Sequence, residues 1–248
     1  MSFLIGILAG IFGGLVGLGG GIVMIPLMVA FMKMGQHKGH GTSLVALVFT
    51  GISGAVTYAL KGSVDFPGAL FIVITAVFTA SAGAKFAHSL PEWKLKRTFG
   101  GFLIVVSLLL LLKPYLWQLC EPVSGWAKVV TLLVTGIFAG FLSGMMGVGG
   151  GVIMVPAMVI LTGFSQHTAQ GTALLAMIPI GAIGAFTHWK LGNVKTDLLI
   201  GLILGIVLGT YLGGTLAHIL SEAILRVIFA IVLILTGVRY LRAPAILD

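Results

Sequence analysis

The sequence predicts an all-α integral membrane protein of two homologous halves, read as inverted repeats, each a glycine-broken helical hairpin followed by three transmembrane helices. Three observations carry this. Hydrophobic residues make up 58% and charged residues 8% of the 248 positions, against about 25% charged in ordinary globular chains, so too little polar side chain exists to cover a soluble particle. Long apolar runs free of formal charge recur along the chain, for example 42–60, 66–84, 168–189 and 198–220, near the ~20 residues that cross a ~30 Å hydrocarbon core as a helix. Finally, Gly17-Leu18-Gly19-Gly20-Gly21-Ile22-Val23-Met24-Ile25-Pro26 returns as Gly147-Val148-Gly149-Gly150-Gly151-Val152-Ile153-Met154-Val155-Pro156, an offset of 147 − 17 = 130 residues.

The same offset pairs Gln36-His37 with Gln166-His167, Gly41-Thr42 with Gly171-Thr172, Gly51 with Gly181 and His88 with His218. Two copies of one unit in an apolar chain are the usual signature of a transporter built from repeats. Each half divides into five apolar segments: about 3–17, 22–32, 42–60, 66–89 and 98–112, then 129–147, 152–162, 170–189, 197–220 and 225–241. All should be helices, since lipid offers the backbone no hydrogen-bond partners. The expected division is a first repeat over 1–113, a linker over 114–128 containing Pro114, Glu121, Pro122 and Gly125, and a second repeat over 129–248. The N-terminus has no basic region before its apolar run, so a retained first segment is expected rather than a cleaved signal.

Three consecutive glycines are costly inside a helix, and Pro26 or Pro156 suits the first turn of a new one. The motif therefore predicts a break, either the tip of a hairpin or the kink of one long helix. Hairpins place Lys33, Lys38, Lys94, Lys96, Arg97, Lys190, Lys195, Arg239 and Arg242 on one side, against Lys61, Lys113, Lys128 and Arg226 on the other, a nine-to-four split. Kinked helices divide the same charges seven to six. Positive charge accumulates in the cytoplasm, which favours hairpins, inverted halves and both termini cytoplasmic in a multi-pass protein, the bacterial cytoplasmic membrane being its expected place. Whether the hairpins cross or re-enter is open at this point. The basic residues behind the net charge of +8 are scattered singly or in small groups between apolar runs, as topology signals are, so nucleic acid is not an expected partner. The bilayer is one. Oligomeric state, including a homo-oligomer, is left open.

A helix starting after Gly21 or Gly151 presents unpaired N–H groups and the positive end of its dipole, which suits an anion. The candidate substrate-binding residues are Gly19, Gly20, Gly21, Gly149, Gly150 and Gly151, with Thr42, Ser43, Gln170 and Thr172 as neutral donors. His37 and His167 are candidates for proton coupling, since an imidazole titrates near pH 6.5. The competing readings are ordinary: glycines for close packing, and a polar loop at 36–41 capping the next helix. The run Gly201, Gly205, Gly209, Gly213 and Ala217 needs only helix packing to explain it. Lys85, near the end of its segment, can snorkel to the surface. Gly17-x-Gly19 is not a dinucleotide fingerprint, because Ile22 stands where the third glycine belongs. The single Cys120 excludes an intrachain disulfide and a cysteine metal cluster. No cofactor or metal is expected. No carboxylate falls mid-segment, and no nucleophile–base pair stands out, so an enzyme is not expected.

The paired Gly-x-Gly-Gly-Gly-(x)4-Pro motifs, with Gly41-Thr42-Ser43 and Gly171-Thr172-Ala173 after them, resemble those of the TauE/SafE family of membrane transporters, the sulfite exporters. The resemblance runs from about residue 3 to about residue 242. It implies secondary export of sulfite, sulfoacetate or a related organosulfonate across the cytoplasmic membrane. It places the family motif on Gly17, Gly19, Gly20, Gly21, Pro26, Gly41, Thr42, Ser43 and their counterparts. Ala173 departs from Ser43, so the two half-sites cannot donate identical hydrogen bonds. Rival readings are a passive anion channel and a non-transporting membrane scaffold subunit.

Overall fold

The computed structural model describes residues 1–86, 92–112 and 122–242, and among them it holds ten α-helices and no strand. The first half contains α1 (Ser2–Val16), α2 (Gly21–Met32), α3 (Gln36–Ala59), α4 (Phe66–Phe86) and α5 (Glu92–Leu111). The second contains α6 (Gly125–Met146), α7 (Gly151–Leu161), α8 (Gln166–Lys190), α9 (Leu199–Ile219, preceded by a 3-10 turn) and α10 (Glu222–Leu241). Six of these, α3, α4, α6, α8, α9 and α10, are long and apolar enough to cross a membrane. Their outer faces carry large exposed apolar side chains, such as Phe78, Ile200 and Leu235. His88 and Cys120 lie outside the described residues.

The glycine motif breaks the chain as expected. Gly17 closes α1 in the left-handed region (φ 72°), its N–H donating to the Gly13 carbonyl at 2.9 Å, and Gly20 (φ 77°) caps the start of α2. Gly147 (φ 67°) and Gly150 (φ 64°) repeat this between α6 and α7. The break is a reversal. Gly20 abuts the Ala9 carbonyl, and Met24 and Met28 of α2 share a buried cluster with Ile5 and Ala9 of α1. Helices α1, α2 and α7 have 15, 12 and 11 residues, roughly 22, 18 and 16 Å at 1.5 Å per residue, so each falls short of the hydrocarbon thickness.

Three expectations need correction. Pro26 and Pro156 lie inside α2 and α7, six residues into each helix, rather than in the first turn; helical geometry begins directly at Gly21 and Gly151, so the prolines remove an N–H further in. The Gln36 and Gln166 stretches are helix rather than loop. Extended Gly35 and Ser165 precede them, and the Ser165 hydroxyl accepts the Thr168 N–H at 3.0 Å, a side-chain cap that starts α8 four residues before the apolar run. Helix α6 likewise begins at Gly125, inside the expected linker.

Packing repeats between the halves. Helix α1 lies along α9 as α4 lies along α6, while α3 pairs with α8 and α5 with α10. The α1–α9 contact is made by glycines: a Cβ on Gly10 would fall 2.7 Å from the Ile206 carbonyl oxygen, and Gly205, Gly209 and Gly213 abut the carbonyls of Phe3, Ile7 and Ile11. That is the packing role expected of the spaced-by-four ridge. Helices α3 and α8 run antiparallel, with Gly51 against Leu174 and Ile178, and Gly181 and Gly184 against Leu44.

Candidate functional site

Both glycine tips are buried and lie side by side between α3 and α8. Their contact is reciprocal. A Cβ on Gly21 would sit 2.7 Å from the Gly147 carbonyl oxygen, and one on Gly151 would sit 2.7 Å from that of Gly17. Because α2 returns along α1, its N-terminal end faces the middle of the bundle; the contact of Gly150 with Ala139 gives α7 the equivalent orientation. Between the tips stand Leu47 of α3 and Met177 of α8, which the repeat offset pairs. Both touch Gly19 and Gly149, and they are 0% and 1% exposed.

Two polar layers flank this apolar middle. At one end, the Tyr58 hydroxyl lies 2.9 Å from the Gly14 carbonyl and 3.0 Å from Gln170 Oε1. Gln170 packs on Gly17, with its Cβ 2.7 Å from where a Gly17 Cβ would be. Its Nε2 is buried without a hydrogen-bond partner among the described residues. At the other end, Ser43 Oγ lies 2.9 Å from the Gly147 carbonyl and 2.8 Å from that of His40, so one hydroxyl hydrogen serves two acceptors. His188 Nε2 lies 3.2 Å from the Gly144 carbonyl. A carbonyl only accepts, so Nε2 carries the hydrogen. Ser143 Oγ, at the end of α6 one turn before Gly147, is a second buried polar atom without a partner among the described residues.

Thr42 and Thr172 are buried and tie down opposite loops. Thr42 Oγ1 accepts the Lys195 N–H at 3.0 Å, and Thr172 Oγ1 accepts the Asp65 N–H at 2.9 Å. Of the histidine candidates, His37 is exposed in the first turn of α3. His167 opens α8 with Nε2 3.1 Å from the Ala217 carbonyl and its ring 5.1 Å from that of His218. The structure thus gathers Gly17–Gly21, Gly147–Gly151, Ser43 and Gln170 around one centre. It sets His37 and His167 at the two ends. Sequence reading passed over Leu47, Met177, Tyr58 and His188; the offset that pairs Leu47 with Met177 and Tyr58 with His188 was the available signal, obscured because neither pair is identical. An apolar groove of about 650 Å³ between α5, α6 and α7, lined by Phe102, Val134 and Phe138 among others, contains no ionisable side chain and faces outward. Among the described residues, no cluster of His, Cys, Asp and Glu has the geometry to hold a metal ion.

Residues 2–240 match the family model described as sulfite exporter TauE/SafE. The chain belongs to the TauE/SafE family. It is a multi-pass membrane transporter of that family. A probable membrane transporter protein of Bacillus subtilis, YunE, is 29% identical over 221 residues, covering 79% of this chain and 81% of that one. A second from the same organism, YdhB, is 27% identical over 202 residues, covering 81% and 82%. The Arabidopsis thaliana TauE/SafE family protein 3 is 39% identical over 80 residues, which is 32% of this chain and 16% of the plant protein. No solved structure matches the chain. The two glycine motifs of this TauE/SafE chain are thus the tips that meet at the centre of the bundle.

Proposed function

We propose that this protein is a secondary transporter that exports a small sulfur-containing anion, sulfite, sulfoacetate or a related organosulfonate, from the cytoplasm. The observation that carries this is the meeting of two helix N-termini beside buried Gln170 Nε2 and Ser143 Oγ, which have no hydrogen-bond partner among the described residues. Dipole ends and neutral donors suit an oxyanion without a buried lysine or arginine. The name of the family supports the class of cargo. Gly19, Gly20, Gly21 and their counterparts form the cradle, with Ser43, Thr42, Thr172 and Gln170 around it. His37 and His167 lie where a proton would enter or leave each end.

The antiparallel run of α3 against α8 supports inverted halves, and the nine-to-four distribution of basic residues supports cytoplasmic termini in a cell membrane. Leu47 and Met177 between the tips favour alternating access over an open anion channel. Export of an anion gains about 2.3 kcal/mol per charge per 100 mV from an inside-negative potential.

Flux of sulfite into and out of proteoliposomes, with potential and pH gradient imposed separately, tests this. Saturable flux that follows either gradient is expected. Inertness towards sulfite, sulfate, thiosulfate and sulfoacetate alike would remove the sulfur-anion reading while leaving family and fold untouched.

A further inference from the structure

We infer that Gln166 forms a second anion subsite, one helical turn beyond Gln170 on the way from the glycine tips to the surface, an inference that rests on the anion reading above. Gln166 opens α8 and is 0% exposed, and neither its Nε2 nor its Oε1 has a hydrogen-bond partner among the described residues. It belongs to a segment long and apolar enough to cross a membrane. Leaving both atoms of a buried amide unpaired is costly there, and membrane proteins retain such a group where it serves function.

Its place in the helix says what it serves. Gln166, Gln170, Ala173 and Met177 follow one another in steps of four, three and four, so they form one stripe of α8. All four are buried. Met177 touches Gly19, Gly149 and Gly151, and Gln170 packs on Gly17. The stripe therefore leads from the first residue of α8 to the tips. Gln166 and Gln170 are spaced to bond each other, but the Gln166 amide makes no such bond. A third group is needed to join them.

The two amides differ in what they leave open. Gln170 Oε1 accepts from the Tyr58 hydroxyl at 3.0 Å, so its open group is Nε2, a donor that suits a bare oxyanion. Gln166 leaves both a donor and an acceptor open. Its Nε2 can hold an anion, but its Oε1 repels one and needs a donor, which a water from the hydration shell of the anion supplies. An anion with one retained water thus satisfies the whole amide of Gln166, and a step of one turn inward to Gln170 removes that water. Dehydration is divided into two stages. Nearby, half-buried Lys128 holds its Nζ 4.2 Å from the centre of the Phe164 ring, two residues before Gln166. A cation at that end raises the local concentration of anions. In the first half the corresponding positions are Gln36 and His40, so the amide pair is built at one end of the bundle.

The test measures uptake of sulfite and of sulfoacetate against concentration in proteoliposomes that carry the full-length protein, as wild type and as Gln166→Met, which is close in length and shape but apolar. Gln166→Leu is the second variant. Each protein is also unfolded by heat in detergent without anion. Both variants are expected to unfold no more readily than the wild type, since no bond within the protein is lost. Both should need about tenfold more anion for half-maximal uptake, the weight of one hydrogen bond to a charged group. Half-saturation equal to that of the wild type in either folded variant would overturn the inference, because the amide then holds a resident water alone. A lowered unfolding midpoint in both variants would overturn it as well, because the amide then serves the fold. A wild type inert towards both anions removes the cargo reading and the subsite with it, an outcome distinct from an active wild type whose variants match it.

Discussion

Tyr58 and His188 stand at equivalent places in the two halves and each bonds a carbonyl near the end of the helix that leads into a glycine tip, Gly14 at 2.9 Å and Gly144 at 3.2 Å. The same backbone requirement is met by a phenol at one end of the α3–α8 pair and by an imidazole at the other. Repeat symmetry governs the backbone here, and side-chain chemistry departs from it.

Tyr58 is the safer closure to remove, because its two acceptors can be counted. Tyr58→Phe leaves the Gly14 carbonyl and Gln170 Oε1 without their buried hydroxyl partner. The expected loss is roughly 1–3 kcal/mol, read as a lower midpoint of thermal unfolding in detergent, with the helical content of the folded protein unchanged. An unchanged midpoint would mean that these carbonyls are already satisfied elsewhere.

The glycines separate by what surrounds them. Gly20 has φ 77° and its Cβ would overlap the Ala9 carbonyl, whereas Gly192 has φ 70° with nothing within 4 Å. Gly192→Ala should cost only the left-handed backbone penalty of about 1–2 kcal/mol and leave flux intact. Gly20→Ala carries the same penalty and also forces α1 and α2 apart. It should lose flux in proteoliposomes even where protein of normal size reaches the membrane; equal flux from both variants would dissociate the tip from transport.

Much of this was legible in the sequence. Composition and run length identify the helices, and the 130-residue offset locates the tips, because glycine at a left-handed position has few substitutes. What escaped was decided by partners distant in sequence. The Gln36 and Gln166 turns read as polar loop because a helix beginning before its apolar run is recognisable only through Gly35 and the Ser165 cap. Leu47 and Met177 are two apolar side chains among dozens, and only the contact with Gly19 and Gly149 distinguishes them. His188 sits in the last turn of α8 beside Trp189 and Lys190, a composition that reads as membrane interface; its burial depends on α6 and α3.

Leu47 and Met177 make the gap between the tips a matter of size. Leu47→Ala and Met177→Ala each remove apolar volume where Gly19 and Gly149 already lack side chains. Each should raise passive anion leak through proteoliposomes, measured with no gradient imposed, and reduce gradient-driven accumulation. Met177→Leu conserves volume and should behave like the wild type. Leak unchanged in the double alanine variant would place the barrier elsewhere in the bundle.

Thr42 and Thr172 offer a test of the repeat itself. Each is fully buried and accepts one loop N–H, from Lys195 at 3.0 Å and Asp65 at 2.9 Å. Valine is nearly isosteric but leaves that N–H unpaired, so Thr42→Val and Thr172→Val should each cost about 1–3 kcal/mol. Serine retains the acceptor and loses only a methyl group, and should cost less. The two bonds tie different loops at opposite ends of the α3–α8 pair, and well-separated sites add to within about 0.5 kcal/mol. The double valine variant should therefore show the sum of the single losses in chemical or thermal unfolding. A double loss clearly larger or smaller than that sum would mean that the two ends are coupled through the bundle, as a rocking motion of one half against the other requires.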